Sequence, residues 1–129
     1  MRRWLIVFTS LLMVFVLAAC GGGGGNGGGS GQADQLARGQ EVYTAECAEC
    51  HDQGVGPDVT SASAPFLTDF ANAQELFSFT HDNMPMDAPG SLTDDQYYDV
   101  VAHMLQSAGV LPADTVVGPD TAAGITFGQ

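Results

Sequence analysis

Apolar side chains recur every three to four residues in three stretches of this chain, and that rhythm predicts three helices. The first runs from Gln32 to Cys47, with Leu36, Gly39, Tyr43 and Cys47 on one face. A glycine inside a helix costs about 1 kcal/mol against alanine, so another helix is expected to approach closely at Gly39. The second runs from Thr68 to Asp82 and aligns Phe70, Ala73, Leu76, Phe77 and Thr80. It ends at Met84-Pro85, because a residue before proline is steered out of the helical region. The third, Thr93 to Ser107, opens on the capping-box pattern Thr93-Asp94-Asp95-Gln96, with acids in its first turn. It buries Tyr97, Val100, Val101, Met104, Leu105 and Ala108 and stops at Gly109. Asp52 to Pro65 reads as loop, and no stretch reads as a strand. From about residue 110 the chain is broken by Pro and Gly, and Leu111, Val116, Val117, Ile125 and Phe127 are spaced to lay an irregular arm over the domain. The expected fold class is all-α.

Ahead of the first helix the pattern is of another kind. Met1-Arg2-Arg3 precedes 16 residues, Trp4 to Ala19, that are apolar except for Thr9 and Ser10. A bilayer-spanning helix wants about 20, whereas a basic start, a short apolar core and small residues at the end describe a secretory signal over residues 1–19. Leu17-Ala18-Ala19-Cys20, followed by Gly21, resembles the bacterial lipoprotein signal, in which Cys20 is lipidated on sulfur and becomes the new N-terminus. The rival is an uncleaved signal anchor. Either way the expected location is the extracytoplasmic face of a bacterial membrane, and stable anchoring takes more than one acyl chain. Residues 20–31 are nearly all glycine after the cysteine and have nothing apolar to bury, so they read as a flexible tether with a reach on the order of 15–20 Å. Residues 32–129 form one small domain.

Charge narrows the partners. Beyond the signal only Arg38 is basic, against 15 acidic residues in the chain. Nucleic acid and anionic membrane surfaces are disfavoured, while a partner with a basic or apolar docking patch is favoured. A monomer is expected.

The candidate chemistry sits where the first helix ends. Cys47-Ala48-Glu49-Cys50-His51 is C-x-x-C-H, the attachment signature of a c-type haem. Two thiols add across the porphyrin vinyl groups, and the next His gives an imidazole nitrogen to the iron. A thioredoxin-like dithiol uses C-x-x-C in a βαβ setting, which no flanking strand supports. A structural zinc site wants four ligands, and the chain has three cysteines, of which Cys20 belongs to the signal. A Cys47–Cys50 disulfide is the plain alternative. Gly56-Pro57, just past His51, offers a carbonyl to the free ring nitrogen. For the sixth position the candidates are Met84, Met86, Met104, His81 and His103. Met84 is favoured because Pro85 stiffens its loop, and Met/His ligation raises the reduction potential. With so few cations, haem propionates turn to Tyr97, Tyr98 or backbone donors.

Several of these features together resemble a class I c-type cytochrome, a monohaem electron carrier. Gly39 and Tyr43 stand eight and four residues before Cys47, as the family's packing glycine and aromatic do. The haem motif follows. Met84-Pro85, then Ala88-Pro89-Gly90-Ser91-Leu92, is similar to the family's distal methionine loop, and Asp99-Val100-Val101-Ala102 begins its terminal helix. The resemblance implies a small cytochrome c fold of three to four helices around one covalently bound haem c, with first and last helices crossed near Gly39. It implies thioethers at Cys47 and Cys50 and axial ligands His51 and Met84; Pro57, Leu92 and Tyr97 are the further residues expected at the cofactor. His103 departs from the family, which has an aromatic there to pack on the first helix. The expected function is a membrane-tethered carrier, not an enzyme. It would shuttle single electrons from a quinol-oxidising complex or dehydrogenase to an acceptor such as an oxidase. The alternatives are a haem subunit used in place within a dehydrogenase complex, or a haem enzyme or sensor with an open sixth site.

Overall fold

The computed structural model describes residues 31–127. The signal expected over residues 1–19, Cys20 as the expected lipidation site and the expected glycine tether lie outside the described residues, apart from Gly31. Among the described residues no helix is long and apolar enough to cross a membrane.

Helix α1 (Gln32–Glu46) lays Gln35, Gly39 and Tyr43 along its buried face. At Cys47 the backbone leaves helical geometry (φ −121°, ψ −40°), and the single turn α2 (Ala48–His51) follows at once. Helix α5 (Asp94–Ser107) carries the expected capping box between Thr93 and Gln96, and Gly109 just past its end sits at φ 76°. Its residues Tyr97 to Ala102 are all buried. A helix is buried nearly all round only where neighbours cover it on more than one side. Here α1 covers one side, and α4 covers another, with Phe77 stacked on Tyr98 at 3.9 Å.

The α1–α5 crossing depends on the missing side chain of Gly39. A Cβ there would overlap the Asp99 carbonyl of α5 and come within 3.0 Å of the His103 Cβ. One residue earlier, the Arg38 guanidinium grips Asp99 with Nε 2.7 Å from Oδ2 and Nη2 3.0 Å from Oδ1. The fork-on-carboxylate geometry fixes register as well as adding energy. Arg38 itself stays 44% exposed, and it is the Asp99 carboxylate that the pair buries. His103 takes the expected aromatic place against Tyr43, with ring centroids 5.3 Å apart.

The second predicted helix is divided. A short helix α3 (Phe66–Asp69) ends where Phe70 turns extended (φ −127°, ψ 146°), and α4 (Ala73–Asn83) starts afresh. Asn72 is the physical reason. Its side chain accepts from the backbone N–H groups of Gln74 and Glu75, both at 3.0 Å, and a residue in that role must itself stay extended. Phe70 therefore leaves the helical face assigned to it and packs on Phe79 at 5.2 Å. The helices thus number three long and two single-turn among the described residues, in an all-α architecture.

The C-terminal arm is ordered by α1. The buried amide of Gln35 donates to the Val117 carbonyl at 2.7 Å and accepts from the Val117 N–H at 2.8 Å, as a neighbouring strand would. Gln32 holds the carbonyls of Pro112 and Thr115. The arm then makes a 3₁₀ turn (Ala122–Gly124). It ends beside the start of α4, where Ala73 donates to the Ile125 carbonyl at 2.9 Å and Phe127 meets Phe66 edge to face. Its apolar anchors Val117, Ala122 and Ile125 are buried.

Candidate haem-binding site

The turn α2 carries Cys50 and His51, and Cys47 caps it, so one helical turn presents both thiols and the imidazole together. Cys47 is half-buried and Cys50 exposed, and neither is in a disulfide. Burial is the main cause that pushes the Cys47 thiol up to about 11, with the charges of Glu46 and Cys50 adding to it. A dithiol oxidoreductase needs the opposite, a nucleophile held low, so that reading finds no support. A closed zinc site finds none either, since among the described residues no three His, Cys, Asp or Glu side chains converge.

His51 is oriented by its own loop. Its Nδ1 lies 2.7 Å from the Pro57 carbonyl. A carbonyl only accepts, so Nδ1 bears the proton and Nε2 keeps the lone pair that a metal takes. Gly56 makes room for this: a Cβ there would sit 2.9 Å from Nδ1 and 3.0 Å from Cε1 of the ring. Behind the turn, the Tyr43 hydroxyl donates to Asp52 Oδ1 at 2.6 Å. Burial first, and that hydrogen bond second, raise the Tyr43 phenol far above its ordinary value, so it stays a donor. Asp52 and Gln35 are residues that sequence reasoning passed over. Asp52 had a signal, its place directly after the motif; Gln35 had none, being a polar residue on an otherwise apolar face.

On the other side of the sequence motif, Met84 caps α4 with an extended backbone, and its N–H donates to the Thr80 carbonyl. The Tyr97 hydroxyl, expected as a propionate donor, is engaged with the Met84 carbonyl, to which it donates at 2.6 Å. Met84 and Leu92 are half-buried. Of the other candidates, His81 lies close to the Met84 loop, its ring 5.0 Å from that of Tyr97. Met104 is core at 6% exposure and Met86 is 75% exposed. His103 packs on Tyr43, and His81 lies beside Asp82 (2.8 Å) and Asp94 (3.7 Å). The donor chemistry fits the cofactor the sequence implies: two unpaired thiols, and one imidazole whose Nδ1 is held by the Pro57 carbonyl in space that Gly56 leaves open.

A family model described as "Cytochrome C oxidase, cbb3-type, subunit III" matches residues 34–104, more than half of the chain. The chain belongs to this family of c-type cytochromes. As a family member it is an electron-transfer haem protein with covalently bound haem c and redox proteins as partners. Cytochrome domains of this type are typically extracytoplasmic. A search of curated proteins and one of solved structures each found no significant match. The matched span of this cytochrome stops inside α5, so the C-terminal arm and its glutamine clamp lie beyond it.

Proposed function

We propose that this cytochrome is a membrane-tethered carrier that takes one electron from a quinol-oxidising complex or dehydrogenase and delivers it to an acceptor such as an oxidase. The observation that carries the reading is the turn Cys47–His51 with Nδ1 of His51 locked onto Pro57. Cys47 and Cys50 would hold the porphyrin through thioethers, and His51 and Met84 would supply the ligands to its iron. When bound, the haem supplies a single-electron couple as its iron cycles between ferric and ferrous. The chain's own part is to hold both ligands still, so that little reorganises when the charge changes. His51 is fixed by a carbonyl, and Met84 by Thr80 on one end and Tyr97 on the other. Neither side needs a proton or a nucleophile, which favours a carrier over an enzyme.

Docking follows from exposure and charge. Val55 and Met86 are 73% and 75% exposed, and each lies a few residues past a proposed ligand. Asp52 and Asp58 flank Val55, and Asp87 adjoins Met86, all exposed. A partner with an apolar contact and a basic rim fits such a surface. The second reading, a subunit resident in a larger oxidoreductase, is favoured by the family's description as an oxidase subunit. The glycine tether speaks for the carrier, since a permanently docked subunit has no need of swing.

One experiment tests the reading. The full-length wild type and Cys20→Ala are produced in a host that attaches haem, then fractionated and titrated potentiometrically. The expected result is covalent haem in wild-type membranes and a one-electron titration, with the same titration in Cys20→Ala but the protein released to the soluble fraction. Absence of covalent haem sinks the site; retention of Cys20→Ala in membranes replaces the lipid by an uncleaved anchor. Stoichiometric co-purification of an oxidoreductase with the wild type would favour the resident subunit.

A further inference from the structure

Tyr97 is wholly buried, and its ring is held in place on two sides. Phe77 meets it edge-on at 6.3 Å and His81 lies tilted against it at 5.0 Å. The capping box of α5 closes one turn earlier and fixes the helix under it. Its hydroxyl therefore points from a rigid base to the Met84 carbonyl, 2.6 Å away. That carbonyl needs a partner. Met84 is the C-cap of α4 in extended geometry (φ −125°, ψ 151°), so its carbonyl has left the helical ladder. The chain beyond it is held mostly by its own turns, Ala88 to Pro85 at 2.9 Å and Ser91 to Ala88 at 3.2 Å, and residues 86–91 are exposed.

We propose that the Tyr97 hydroxyl is a latch: it holds the Met84 backbone in its ligating position and so keeps small molecules off the iron. The inference rests on Met84 as the axial ligand. Tyr97 acts through Met84 and is a positioning residue. Without its hydroxyl the Met84 carbonyl loses its partner in a half-buried place, and the loop gains a reason to leave.

The neighbouring tyrosine supplies the control. Tyr98 is also buried, stacks on Phe77, and donates its hydroxyl to Gln74 Oε1 at 3.3 Å, away from Met84. Tyr97→Phe and Tyr98→Phe each keep the ring and remove one hydrogen bond. Carbon monoxide binding to the ferrous holoproteins is measured by rapid mixing, beside the thermal midpoint. Tyr97→Phe is expected to bind carbon monoxide about tenfold faster than wild type, the scale set by leaving one half-buried carbonyl unpaired. Tyr98→Phe is expected to bind at the wild-type rate while losing a similar amount of stability. Equal slow binding by wild type and both variants overturns the latch and leaves Met84 in place. Rapid binding by the wild type itself, without the weak far-red absorption of methionine–iron bonding, overturns Met84 as ligand and the latch with it.

Discussion

Six residues separate His51 from the carbonyl that orients it, all within one loop, whereas thirteen separate Met84 from the hydroxyl that holds its backbone, which comes from another helix. The His51 side is assembled by local sequence: a turn, two glycines and a proline. The Met84 side is assembled by tertiary structure. Its loop is only as firm as the contact between α4 and α5, and α4 is in turn pinned at its start by Asn72 and by the C-terminal arm. A local arrangement forms whenever the chain is nearby; a tertiary one forms only when the fold is complete. On the ligation proposed above, the two sides of the iron should therefore fail differently, the first by a change in ligand strength and the second by loss of the ligand.

The largest effect should come from removing the ligand proposed on the tertiary side. Met84→Ala is expected to lower the reduction potential by on the order of 0.1 V or more, within the roughly 0.8 V that axial ligands span, and to open the iron to carbon monoxide. A thioether favours ferrous iron, so its loss favours ferric. Met86→Ala, which trims an exposed side chain, should change neither. Equal potentials for Met84→Ala and wild type in a potentiometric titration would refute the assignment.

A smaller effect is expected on the local side. Gly56→Ala puts a methyl 2.9 Å from Nδ1 of His51, so the ring or its loop must shift. A longer bond to Pro57 makes the imidazole a weaker donor. Ferric iron then loses more than ferrous, and the potential should rise by less than about 60 mV, the one-electron equivalent of a tenfold change. Gly54→Ala separates this from backbone strain. Gly54 sits at φ 75° with nothing near its missing Cβ, so alanine there costs about 1 kcal/mol of stability without touching the ring. A Gly56→Ala potential equal to that of Gly54→Ala would show that the glycine does not set the ligand.

The same contrast explains what the sequence could and could not show. Helices α1 and α5, the approach at Gly39 and the Pro57 carbonyl were legible because each is encoded by periodicity, a cap or a short spacing. Three details that depend on the finished fold were not. Asn72 looked like an ordinary residue of a continuous helix, and its cap is visible only once the chain around it is extended. Gln35 and Val117 make paired hydrogen bonds across 82 residues, and no pattern along the chain joins them. Tyr97 was singled out for its polar tip, yet whether that tip meets a propionate or a carbonyl depends on where α4 ends.

The finest test concerns the crossing behind His51. His103 rests on Tyr43, whose hydroxyl binds Asp52, the residue after His51. Burial lowers the His103 pKa below its ordinary value of 6.5, and the nearby Asp52 charge offsets part of that. As pH falls through 6.5 the unfolded chain takes a proton that the folded one refuses, so stability drops until the lowered folded value is passed. Above 6.5 the contribution is complete. The group is partly solvated, so the loss should be about 0.5 kcal/mol or less after screening. His103→Phe supplies the aromatic that the family resemblance expects, and the stability difference between it and wild type should grow from about pH 7.5 to about pH 5.5. Because His103 faces the His51 side, carbon monoxide binding should stay slow across that range in both proteins. A denaturation series that shows no growing difference would remove His103 from the acid response, and a binding rate that rises with His103 protonation would mean that the two sides of the iron are not independent.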